Sequence, residues 1–307
     1  VPPEESRSSD AFSDPYGTGD ELIRVLSDDG GIAVRALVGT GLVERSRELH
    51  ASMPTATHAL GRTLMGAVLV ASAAKEDETV QLNLRGNGPL GSMLAIADVT
   101  GRVRGTVTHP ETDLPARDGQ ADVPSAIGEG TIRVVRNHPR WRQPYTGITP
   151  LSNGQVASDI ARYLTESEQT PSAVGLGVVL ESDGRVAAAG GFMVQALPGA
   201  DEERLAVVER NVHSIFSPAE MVRSGARGRD IAEILLQGVG HRELERTEPE
   251  YHCPCSMERV TRAMAALGRD ELAEIVEAGE VLEVRCEFCG ARYRVTPDDL
   301  RLLLLSS

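Results

Sequence analysis

Hydrophobic and polar positions along this chain change period several times, and each change predicts an element. Residues 22–26 and 32–38 are apolar-rich runs on either side of Asp28-Asp29-Gly30-Gly31, which predicts two strands joined by a turn. Residues 42–50 and 57–74 carry helical spacing, and the second run is apolar on most faces, so a buried helix is expected. From Thr79 the period drops to two, with Val80, Leu82 and Leu84 alternating with polar residues. Further strands are expected over 92–98, 102–108, 131–137 and 143–148. Val156, Ile160 and Leu164 share one face of a helix over 155–168. Two more strands, 173–181 and 185–196, flank the turn Ser182-Asp183-Gly184. Strands mixed with a few helices, without regular alternation, predict an α+β class with a mixed sheet-and-helix core over residues 20–198.

Outside that core the pattern weakens. Residues 1–19, rich in Pro, Ser, Asp and Gly, predict a disordered tail. Residues 199–247 predict a helical, metastable linker with two thin stripes: Leu205, Val208, Val212 and Ile215, then Ile231, Ile234 and Leu235. Short helices with so little apolar face are marginal unless docked. Residues 248–307 form a small C-terminal domain, in which Thr296-Pro297-Asp298-Asp299 predicts the start of a last helix. Four consecutive leucines near its end are expected to pack that helix onto its domain.

Charge narrows the function classes. With 31 basic and 45 acidic residues the net charge is −14, which argues against a nucleic-acid partner. No apolar run approaches the ~20 residues of a membrane-spanning helix, so no membrane partner is expected.

The candidate chemistry lies in the cysteines. All four, Cys253, Cys255, Cys286 and Cys289, fall in the last domain, spaced C-x-C and C-x-x-C. A disulfide-stapled secreted chain would spread them more widely, and no basic, apolar-cored leader precedes the core. A reducing, cytoplasmic setting is therefore expected, with the thiols serving metal or redox chemistry. Two close pairs fit one tetrahedral Zn²⁺ held by four thiolates. Residues 281–284 and 293–295 read as strands flanking Cys286-Glu287-Phe288-Cys289-Gly290, the form of a zinc knuckle. A thioredoxin-like site would place its C-x-x-C at a helix start, which this β-like context opposes. A nucleic-acid ribbon would need a basic face, whereas residues 248–307 hold twelve acids and seven arginines. Oxidation of ligating sulfur removes the metal, and a small domain that loses its metal unfolds.

Cys253-Pro254-Cys255-Ser256 with Arg259, and Cys286 to Gly290 with Tyr293, resemble the zinc redox switch of the heat shock protein 33 family, the 33 kDa redox-regulated chaperonins. Gln81 and Leu82 through Gly86-Asn87-Gly88-Pro89, and Gly190 to Gln195 with Pro198, resemble segments of that family's core. The resemblance implies an ATP-independent holdase, inactive when reduced and carrying one Zn²⁺ per chain on the four cysteines. It implies disulfides Cys253–Cys255 and Cys286–Cys289 on oxidation by hypochlorous acid, or by peroxide with heat. Metal release, an unfolded C-terminal domain and a loosened linker would follow, with unfolding client proteins bound by a homodimer through the core and linker. Pro254 occupies the middle of the C-x-C, where members of the family vary, and its fixed φ works against closing the Cys253–Cys255 ring. A zinc-stabilised adaptor without redox gating is the alternative, and a thiol oxidoreductase ranks below both.

Other candidate sites carry less. Gly86-Asn87-Gly88-Pro89-Leu90-Gly91 matches a dinucleotide loop, but Pro89 and the alternating run after it predict a turn between strands. His252 adjoins the thiols as a bystander, and His50, His58, His109, His138, His213 and His241 lack metal-ligand spacing. No nucleophile elbow or catalytic constellation occurs in residues 20–198, so no enzyme is expected.

Overall fold

The amino-terminal hairpin pairs β1 (Glu21–Ser27) with β2 (Ile32–Val38), and the whole of β2 is buried. A computed structural model describes residues 19–264 and 268–306. All of the expected 1–19 tail but Gly19, and the side chains of the four carboxy-terminal leucines, lie outside the described residues. After α1 (Thr40–His50) comes α2 (Pro54–Ala71), with fifteen of its eighteen residues buried. Such a helix must be covered on nearly every side. Strands β3 (Thr79–Gly86), β4 (Ser92–Asp98) and β5 (Arg102–Val107) form a meander. The short α3 (Val123–Ile127) leads to β6 (Gly130–Asn137) and β7 (Tyr145–Pro150). Helix α4 (Val156–Glu166) then precedes β8 (Ser172–Leu180) and β9 (Val186–Ala196).

The linker folds as α5 (Glu202–Ser214), α6 (Pro218–Arg223) and α7 (Gly228–Leu235), followed by β10 (His241–Thr247) and β11 (Glu250–Tyr251). The last domain holds α8 (Met257–Met264), α9 (Arg269–Ala278), β12 (Leu282–Arg285), β13 (Arg292–Val295) and α10 (Pro297–Ser306).

Three sheets result. Five strands run in the order β10-β1-β2-β9-β8, six in the order β11-β5-β4-β3-β6-β7, and β12 pairs with β13. Helix α2 packs against strands of both larger sheets. The main core gathers its Leu60, Leu64, Met65 and Leu69 with Leu37 and Met193 from one sheet and Leu82, Leu84 and Ile132 from the other. Each such side chain stabilises the fold by about 1.5–3 kcal/mol. At Gly105 of β5 a Cβ would lie 2.8 Å from Leu64 Cδ2, so glycine lets helix and sheet close up.

The opposite face of the five-stranded sheet carries Ile23, Val25, Ile32, Val34, Phe192 and Val194, and the linker helices bury it. This explains why β2 is apolar at every position but Arg35, which is itself buried: both faces of the strand are covered. Two linker expectations need correction. The segment is helical only through α7, because His241–Thr247 has no apolar stripe and instead pairs its backbone with the open edge of β1. In the second stripe Ile234 faces solvent at 38% exposure, while Leu236, just past the helix end, folds back and is fully buried.

The glycine-rich run at 86–91 is a structural loop. Its Asn87, Gly88 and Leu90 N–H groups donate to carbonyls of Glu129, Ile127 and Ala126, so they are committed to the turn around α3. No amide cradle faces a phosphate there, in agreement with the turn expected from Pro89.

Candidate metal centre

The two cysteine pairs arrive from different directions. Cys253 and Cys255 sit on the loop between β11 and α8, and Cys286 and Cys289 on the turn joining β12 to β13. Hydrogen bonding of β12 to β13, from Leu282–Val295 through Arg285–Arg292, aims the second pair. The Cys286 N–H donates to Ala291 O and the Gly290 N–H to Cys286 O, each at 2.8 Å. This chain reversal needs the left-handed conformation that Gly290 takes at φ 72°.

All four Sγ atoms lie within 4.8 Å of one another, the one such cluster of possible metal ligands among the described residues. Cys253 and Cys286 are 3.7 Å apart, and Cys255 and Cys289 are 3.3 Å apart. A tetrahedron with Zn–S bonds near 2.3 Å has sulfur–sulfur edges of about 3.8 Å, so the donor set fits such an ion. The thiols are free and half-buried. His252 is 44% exposed and lies 3.9 Å from Glu250, outside the cluster.

Local dipoles differentiate the thiols. Burial raises the Cys286 thiol, but N–H groups of Cys289 and Phe288 outweigh it and hold it below the ordinary thiol value. Burial pushes Cys253 up, and Cys289 to about 11. The Tyr293 hydroxyl donates to Cys255 Sγ at 3.0 Å. A positive ion amid the sulfurs would favour every thiolate at once.

The knuckle is docked on the core by residues that the sequence reading passed over. Tyr251 sends its hydroxyl between two carbonyls, Gly105 O at 2.8 Å and Phe288 O at 2.5 Å. The Gly105 N–H donates to the Tyr251 hydroxyl oxygen at 3.3 Å. His50 places Nε2 2.9 Å from Gly105 O and 3.2 Å from the Tyr251 hydroxyl. Burial, with Arg285 nearby, holds the His50 pKa below its usual value, favouring a neutral ring. The Arg104 guanidinium stands 5.1 Å above the Phe288 ring. Tyr251 carries no period or motif of its own; its adjacency to the C-x-C pair was the one available signal. On the other side, a groove of about 510 Å³ separates His252 and Pro254 from the outer face of the six-stranded sheet at Gln81 and Ile96.

Comparisons with known proteins agree with this arrangement. The family model described as Hsp33 protein matches residues 20–296. The 33 kDa chaperonin of Geobacter sulfurreducens is 40% identical over 284 residues, covering 92% of this chain and 94% of that protein. That of Symbiobacterium thermophilum is 42% identical over 286 residues, covering 92% and 96%. The crystal structure of the 33 kDa chaperonin of Thermotoga maritima, a heat shock protein 33 homolog, superposes with a TM-score of 0.85 at 33% identity, covering 94% of this chain and 98% of that one. With the match spanning the core, the linker and the four-thiol cluster, the chain belongs to the Hsp33 family of chaperones.

Proposed function

We propose that this chaperone is a redox-gated, ATP-independent holdase whose gate is the four-cysteine cluster. The observation that carries the reading is the convergence of four free thiols, from two separate chain segments, within 4.8 Å. Cys253, Cys255, Cys286 and Cys289 would hold one Zn²⁺, which when bound ties the C-x-C loop to the β12–β13 turn by charge. The hydrophobic cluster of this domain is small, built around Met264, Leu272, Val295 and Leu300. So little buried carbon leaves the domain dependent on that tie.

Oxidation removes the ligands. Two thiols and one hypochlorous acid give one disulfide, chloride, a proton and water; sulfur loses two electrons and chlorine gains them. Pairing Cys253 with Cys255 and Cys286 with Cys289 unlinks the two segments, so the domain loses its tie. Pairing across the segments, where the sulfurs stand 3.7 Å and 3.3 Å apart, would keep them joined. The within-segment pairing is the one that the resemblance to the Hsp33 family implies. The reduced, closed form suits a reducing cytoplasm. The opened form takes unfolding client chains, and the apolar surface released from the linker helices and the sheet beneath supports its dimerisation.

The test treats metal-loaded protein with hypochlorous acid and follows metal release, disulfide mapping, sedimentation and suppression of client aggregation in the same samples. Gating predicts loss of the ion, within-segment disulfides, a dimer and protection only after oxidation. Equal protection by both forms, with the ion retained, would establish a zinc-stabilised adaptor instead.

A further inference from the structure

Residues 241–251 form one continuous strap that covers an edge of each large sheet. Its first part, β10, runs antiparallel along β1, from Leu22–Thr247 to Ser27–His241. Its second part, β11, runs parallel along β5, pairing Glu250 with Arg102 and Tyr251 with Val103. Without the strap, β1 and β5 would each be edge strands with unpaired peptide groups, the template on which another extended chain adds.

Along β10 the strap is held by polar bonds rather than by buried carbon, since its large apolar side chain there, Leu244, is 50% exposed; nearer β11, Pro249 is buried and Tyr251 packs against the main core. Along β10 the attachment is the ladder, the ion pair Arg24–Glu245 at 2.6 Å, and Arg246 reaching Glu21 at 3.0 Å. The Arg24–Glu245 pair, open to solvent at both ends, contributes little to stability. Glu21 is itself buried and also accepts from Arg227 and the Gly228 N–H, so one carboxylate holds both the strap and the start of α7.

Along β5 the fit is to a row of acceptors. Gly101 O takes the Glu250 N–H, Val103 O takes the His252 N–H, and Gly105 O takes the Tyr251 hydroxyl. Those carbonyls are two residues apart, the repeat of one strand edge. At the third of them a phenol stands in for the next peptide group, also accepting from the Gly105 N–H. The same phenol touches Phe288 O between two of the cysteines. Unfolding of the knuckle therefore takes away one partner of the residue that fastens the strap.

We propose that residues 241–251 are a removable edge cover, and that β1 and β5, once bared, bind an extended segment of an unfolding polypeptide as an added strand. This rests on the gated-chaperone reading and names the surface that would take the client. The strap is the stand-in for the occupant. The bared β1 edge adjoins the apolar face of Ile23, Val25 and Val34 that the linker helices cover, so the occupant it favours is an extended chain with alternating apolar residues.

Hydrogen exchange on the full chain tests it, with reduced, carboxymethylated α-lactalbumin as the unfolded probe. After oxidation and metal loss, amides of 21–27 and 102–107 should exchange about tenfold faster or more, and the probe should slow them again. Interior strand β2 should change less. Persistent protection of both edges after metal loss overturns the proposal, as does a bared edge that the probe leaves unprotected. If oxidation fails to release metal, the gating reading fails, and the reduced, metal-loaded variant Glu243→Pro/Glu245→Pro decides the edge proposal by itself. Once exchange confirms its strap detached, that variant should bind the probe several-fold better than the parent, and binding no better overturns the proposal. Glu21→Gln, which keeps the side-chain shape, should give a smaller gain in the same direction, and no gain counts against the proposed fastening.

Discussion

The core around α2 and the cysteine domain are held together by different physics. In the core, nonpolar side chains from one helix and two sheets remove one another from water, and no single group is indispensable. In the domain after the strap, four half-buried sulfurs occupy the place of a core, and beside them lies a small apolar cluster. Distributed stability degrades gradually, whereas stability concentrated in one site can be switched off by one chemical event. On the proposed redox gating, that difference would separate the part of the chain that endures oxidation from the part that reports it.

The largest effect should come from the sulfurs. Cys286→Ala removes one of the four donors, the thiol that the N–H groups of Cys289 and Phe288 hold below its ordinary value. Metal binding to such domains contributes on the order of 10 kcal/mol, so the domain should unfold while the core stays folded. Calorimetry should show the core transition intact and the low-temperature, metal-dependent one gone. Retention of a stoichiometric ion would erase the contrast drawn above.

The second test strikes the core. Leu64, fully buried between α2 and β5, should cost about 2–5 kcal/mol as Leu64→Ala, read as a lower core midpoint in denaturant. Metal stoichiometry should be unchanged. If the ion is lost as well, the two regions are one cooperative unit.

Acid gives the third. Burial, helped by Arg62, pushes the His58 pKa to about 4, below an unfolded value near 6.5. The unfolded chain therefore binds the proton first, so this contribution is complete above about pH 6.5 and is lost as pH falls through about 4. The loss should reach about 3 kcal/mol, and His58→Gln should flatten that part of the core's pH–stability curve. An unchanged curve would remove His58 from the account.

The smallest effect belongs to the joint between the regions. Tyr251→Phe deletes the hydroxyl shared by Gly105 and Phe288 and leaves the ring. About 1–2 kcal/mol of docking should disappear, with metal still bound. Faster exchange at residues 250–252 and 288–290, with little change in the core midpoint, is the expected signature. Full retention of protection there would show that Arg104 and Phe288 suffice for docking.

The pattern along the chain already determined much of this. Alternation in β3, the nearly continuous apolar run of β2 and the small or apolar residues on most faces of α2 are local records of how many faces each element buries. The cysteines were legible for a different reason: tight spacing in two pairs has few chemical explanations. What stayed illegible depends on partners distant in sequence. Glu21 carries no mark of meeting Arg227 and Arg246, nor Tyr251 of meeting Gly105 and Phe288. Helices α8 and α9 were missed because their apolar positions are few and serve only a small cluster.

Sequence alone therefore determined the elements that bury carbon and the grouping of the four cysteines, because periodicity and spacing are properties of neighbouring residues. Tertiary structure alone decided that 241–247 is a strand, that one strap spans two sheets, and that a phenol joins knuckle to core. Those outcomes follow from unpaired peptide groups at sheet edges, which any passing backbone can satisfy and no side-chain pattern announces.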